Sequence, residues 1–168
     1  MKRIYQRIVD PERGDCMKCC IASILDLEYE DVPNFVEYND WYSRMREFMK
    51  KFGYNFSLDT IYNPNVTYLE TPTHECFRAY ERDPECFFPY LKPEYGINGL
   101  YMATVYSPKY TTANEHPISH LHSVICDKDF RIVHDPSPEY ASIIQYPYAK
   151  LIGYNGIRCI DKIEKISS

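Results

Sequence analysis

No stretch of the chain approaches the ~18–20 consecutive apolar residues that a membrane span requires, so a membrane partner is not expected. The opening residues, MKRIYQRIVDPERGD, carry basic groups but no apolar core of a secretory leader. There is no excess of positive charge either. A formal net charge of −5 argues against nucleic acid or an anionic lipid surface as the main partner. Internal repeats and low-complexity tracts are missing. The cysteines do not come in an even set: there are seven, which together with the missing leader points to free thiols in a reducing, cytoplasmic setting. What remains is a chain of 168 residues, 45% apolar, enough for one cored domain over residues 1–168 with an insertion at about 71–98. Seventeen tyrosines suit half-buried strands and cleft walls, because each brings apolar area and a hydroxyl that needs a partner.

The element pattern divides the chain. RIYQRIV (3–9) reads as a short strand closed by Asp10-Pro11. Asp15 is a favourable N-cap, so a helix is expected from Cys16 to about Leu25, with Met17, Ile21, Ile24 and Leu25 as its core stripe. Asp40 is expected to cap a second helix bearing Trp41, Met45, Phe48, Met49 and Phe52 on one face, with Gly53 just past its end. Strands follow: YNFSLD, VTYLE, GLYMATVY, LHSVICD and FRIVHD, then KLIGYNGIRCI as a strand or hairpin. A short helix is expected around 74–82, and SPKYTTANEHPISH reads as a long loop. Helices first and mostly antiparallel strands afterwards imply an α+β fold.

The chemistry concentrates in two stretches. In ERGDCMKCC, Cys16 opens a helix, where the helix end lowers a thiol's pKa. In SHLHSVICDKDFRIVHDPSP, a turn at Asp127-Lys128-Asp129 returns the chain on itself, and His122 and Asp135 flank that turn almost symmetrically. A thiol needs an imidazole to stabilise its thiolate, and the imidazole needs a partner to fix its tautomer. Cys16, His122 and Asp135 could fill the roles of nucleophile, base and orienting group. Acyl transfer further needs donors for an oxyanion. The Cys16 backbone N–H and the Gln6 side-chain amide are the candidates. This chemistry requires no cofactor and no metal.

These residues carry a likeness. Gln6, then GDC, ASIL and DVPNF, followed by HSVI and RIVHDPSP, resemble the papain-like cysteine peptidase superfamily, nearest the branch of bacteriocin-processing transporter peptidases. They are also similar to small bacterial and phage proteins of the same pattern. The resemblance covers roughly 6–36 and 99–140 and departs at Met17, where that branch commonly has Gly. It implies a nucleophile helix packed on an antiparallel sheet, and a thiol hydrolase acting on an amide bond of a peptide or protein substrate.

Each residue also has a plainer reading. Cys16 could be a small buried hydrophobe, the common fate of free cysteine, and core packing is preferred for Cys19 and Cys20. Cys16-x-x-Cys19 is also a redox spacing, but the Trp and Pro of the familiar redox motif are missing. Cys16, Cys19, His120 and His122 could hold zinc, though one helical turn and alternate strand positions make a poor clip. His134, next to Asp135, should point to the opposite face of its strand. Asp135 could simply cap the DPSP turn. The same scaffold could carry an idle triad and only bind a partner, or could use its thiol as an acyltransferase or deamidase.

Overall fold

The computed structural model describes residues 1–10, 14–57, 91–106, 121–138 and 157–167. Within them lie two helices, α1 (Cys16–Ile24) and α2 (Trp41–Lys51), and five strands. The strands are β1 (Tyr54–Ser57), β2 (Leu100–Tyr106), β3 (Leu121–Asp127), β4 (Ile132–His134) and β5 (Ile157–Lys165). They form one sheet in the order β1-β5-β2-β3-β4, and every pairing is antiparallel. The fold is therefore α+β, as the element pattern implied.

β5 holds the sheet together. Its first half pairs with β2 through Met102↔Asp161 and Ala103↔Ile160, and its second half pairs with β1 from Ser57↔Lys162 to Tyr54↔Lys165. The sequence reading stopped near Ile160, but the strand continues through Asp161, Lys162, Ile163 and Glu164 to Lys165, with Ile160 and Ile163 buried in clusters on opposite faces of the sheet. β3 spans the seven residues expected, because a short apolar run and a tight acidic turn specify it. Asp127 accepts from the backbone N–H groups of Asp129 and Arg131 at 2.9 and 3.0 Å, which closes the β3–β4 turn. The β3–β4 ladder contains a bulge: Cys126 pairs with Ile132 but Ile125 pairs with His134, so Val133 is an extra residue on β4.

The helices cover one face of the sheet. Cys20, Ile21 and Ile24 of α1 and Met45 and Met49 of α2 pack with Phe35, Phe56, Met102, Ile125 and Ile163. The opposite face carries a second cluster built on Tyr101, Val105, Val124, Phe130 and Ile160. α1 is more deeply sunk than its stripe suggested: six of its nine residues are buried, whereas Met17 and Leu25 are only half-buried. Phe52, expected on the inner face of α2, is exposed at 40%, since it lies past the last turn. Gly53 ends that helix with φ +86°, a conformation that disfavours any side chain.

Three further expectations are corrected. RIYQRIV is not a strand: residues 1–10 form an extended strap fastened by side chains instead of by a ladder. Asp15 stands at the N-cap position of α1 but makes no capping bond. Asp40 likewise makes no capping bond to α2 and pairs with the Arg44 guanidinium at 2.7 Å. VTYLE, the expected helix at 74–82, the loop from 107 to 120 and most of the expected 71–98 insertion lie outside the described residues. Among the described residues, no helix is long and apolar enough to cross a membrane.

Candidate active site

The approach to α1 is shaped by Gly14. Its N–H donates to the Asp10 carbonyl at 2.9 Å, and a β-carbon on Gly14 would come within 2.6 Å of that same oxygen. Only glycine lets the chain fold this tightly before Cys16. The strap then runs across the site. Ile4 donates its N–H to Ser23 Oγ at 3.0 Å and its carbonyl accepts from His134 Nε2 at 2.8 Å. Gln6 donates its backbone N–H to the Pro136 carbonyl at 2.8 Å. The strap thus ties α1 to the segment that follows β4.

Cys16 is half-buried, while Cys19 and Cys20 have no exposed surface. His122, near the start of β3, is buried, and its Nε2 lies 2.8 Å from Oδ1 of the fully buried Asp135. The same carboxylate oxygen accepts the Ser137 backbone N–H at 2.8 Å. A turn in the backbone therefore fixes the carboxylate, and the carboxylate fixes the ring. With Nε2 held by Asp135, the ring is fixed, and the Cys16 thiol and the His122 imidazole lie close enough to shift one another's ionisation.

The electrostatics of the two groups agree. Burial works to raise the Cys16 thiol, but the hydrogen bond and charge of His122 outweigh it, helped by the backbone and hydroxyl of Ser123, and the thiol falls below its ordinary value. Burial works against a charged His122, yet hydrogen bonds to Asp135 and Cys16 push it up to about 10. Both shifts favour thiolate beside imidazolium. Cys19 and Cys20 move the opposite way, raised chiefly by burial, as suits thiols packed in a core. Cys16, Cys19, Cys20 and Cys126 are free thiols.

Gln6 lies on the strap, close to the turn that leads into α1. Its side-chain amide donates to the Ile8 carbonyl at 3.3 Å and lies against Gly14, two residues ahead of Cys16. His134 points away from the pair, and among the described residues its Nδ1 is a buried nitrogen with no hydrogen-bond partner. Burial pulls its pKa below the ordinary value, so the ring is neutral, edge-on to Tyr5 with centroids 5.1 Å apart. His120, needed for the zinc alternative, lies outside the described residues, as do His74 and His116. Among the described residues, no group of three or more His, Cys, Asp or Glu is arranged to hold a metal ion.

Several neighbours of the site escaped the sequence reading. Ser123, which the strand reading gave no role, is 2% exposed, and its backbone and hydroxyl act on the Cys16 thiol. A buried serine beside a strand histidine was the available signal. Ser137 and Tyr29 gave none, because their contacts with Asp135 and Asp15 depend on turns. Comparison of the chain with family models, curated proteins and solved structures finds no match.

Proposed function

We propose that the protein is a thiol-dependent hydrolase of papain-like architecture, acting on the amide bond of a peptide or protein. The observation that carries this reading is the chain of contacts from Cys16 through His122 to Asp135, with the thiol lowered and the imidazole raised. The Cys16 sulfur attacks the acyl carbon, forming a C–S bond while the carbonyl electron pair moves to oxygen. The Cys16 N–H and the Gln6 amide are the donors proposed for that oxyanion. The intermediate collapses, the C–N bond breaks, and the leaving nitrogen takes the proton from His122. Water then adds to the thioester, His122 accepts its proton, and C–S cleavage returns the thiolate. Asp135 holds the ring throughout. Free thiols in the described core fit a reducing, cytoplasmic compartment.

Selective alkylation tests this. Cys16 should react with iodoacetamide near neutral pH far faster than the other six cysteines, and His122→Ala should slow it about tenfold. An ordinary thiol is only a few per cent ionised at pH 7, although its thiolate is intrinsically more nucleophilic. Uniformly sluggish thiols would leave a scaffold that binds without catalysis. Cleavage from a pooled peptide library, with Cys16→Ala as control, would establish hydrolysis; product appearing only with an added amine would mark an acyltransferase.

A further inference from the structure

Asp15 occupies the position from which a carboxylate ordinarily caps a helix, yet its side chain makes no bond to α1. It is fully buried, and its oxygens are engaged elsewhere. Oδ2 accepts the Arg7 backbone N–H at 3.2 Å and the Tyr29 hydroxyl at 2.6 Å, and Oδ1 accepts the Ile8 backbone N–H at 3.3 Å. The Tyr29 ring is held between the Arg7 guanidinium, 3.9 Å from its centroid, and the Lys18 ammonium at 3.6 Å. Burial and the bond to Asp15 both raise the Tyr29 phenol, so it remains a donor. The first intrahelical bond runs from the Cys19 N–H to the Asp15 carbonyl at 3.0 Å. The amides of Cys16, Met17 and Lys18 therefore have no partner further back in the helix.

We propose that Tyr29, together with the strap at Arg7 and Ile8, is a positioning element that holds the Asp15 carboxylate off the start of α1, so that this helix end stays open to the Cys16 thiolate and to the oxyanion of an acyl substrate. The inference rests on Cys16 being the nucleophile. A carboxylate released from these three donors has an obvious alternative in the amides of Met17 and Lys18, the usual targets of a cap. There it would offset the positive end of the helix that Cys16 and the oxyanion draw on and place a second anion beside the sulfur. The other titratable groups around Cys16 are His122 on β3, Asp135 behind it, and Cys19 and Cys20 on its own helix.

The test is the pH profile of Cys16 alkylation by iodoacetamide in the full chain, with thermal melting as the check on folding. Tyr29→Phe keeps the ring between Arg7 and Lys18 and removes only the hydroxyl. It should move the midpoint upward and slow the reaction at pH 7 about threefold to tenfold. Adding Asp15→Asn removes the charge that had been freed, and should bring the rate back to within about twofold of the parent. Asp15→Asn alone should be as fast as the parent or faster. An unchanged profile in Tyr29→Phe, a double variant slower than the single, or a slower Asp15→Asn would each overturn the proposal. If the parent's Cys16 reacts no faster than its other thiols, the nucleophile reading itself fails, which is a different outcome from these three.

Discussion

Two arms of chain meet at Cys16, and they are held in contrasting ways. The β3–β4 arm, which brings His122 and Asp135, is built on a backbone ladder that pairs β3 with β2 over seven residues. The strap, which brings Gln6, has no ladder: apart from isolated main-chain bonds at Gln6 and Ile8, it depends on the side chains of Asp15, Ser23 and His134. A ladder survives most single side-chain changes, because its bonds belong to the main chain. A strap tied by side chains fails wherever one of them is replaced. The part of the site that supplies the base is thus robust, and the part proposed to bind the oxyanion is the one open to adjustment.

Replacing the central knot should show this most strongly. Asp15→Ala leaves the Arg7 and Ile8 amides and the Tyr29 hydroxyl without their buried acceptor, and should cost about 3–4 kcal/mol in denaturant unfolding. Amide exchange over residues 4–8 should rise well above that over β3. Equal acceleration in both arms would mean that they are one cooperative unit and that the contrast is false.

Acid should act next. His134 is buried and its folded pKa lies below its ordinary value of 6.5, so the unfolded chain binds the proton more readily. The stability it secures is present above about 6.5 and is lost as pH falls toward the folded value. Its Nε2–H bond to Ile4 lies at the strap, so exchange there, corrected for intrinsic rates, should increase on acidification while β3 stays protected. His134→Gln should flatten that pH dependence; a strap equally sensitive in the variant would assign the effect to another group. The smallest change is expected at the surface. Lys2 pairs with Glu28 while both are exposed, and Lys2→Ala should leave the melting temperature within about 1 °C of the parent.

The same contrast explains what could be read from the residues. The hairpin was legible because its determinants are local: a short apolar run through Val124, Ile125 and Cys126, a tight acidic turn, then Ile132 and Val133. That His122 and Asp135 come near one another followed from their distance to that turn, whereas the phase that lets them bond comes from the bulge, which no local pattern announces. The strap was misread because Ile4, Tyr5, Ile8 and Val9 look like strand residues, while nothing local says that a strand partner is missing. Asp15 was misassigned for a related reason. Capping preference is a rule about the next three residues, and it lost to the Tyr29 hydroxyl fourteen positions away. β5 was only half visible, as Ile160 and Ile163 are three apart with two charged residues between them, which breaks the two-residue period of a strand.

The extra residue at Val133 has a wider consequence. Counting along an unbroken β4 would set Asp135 level with Ser123, out of step with the ring of His122. The bulge changes odd to even and brings the acid into phase with the base. Removing one residue from this short segment should therefore uncouple the pair altogether, whereas removing two could keep the phase. The length of this turn is a parity constraint, and any engineered or natural variant of it should change in steps of two.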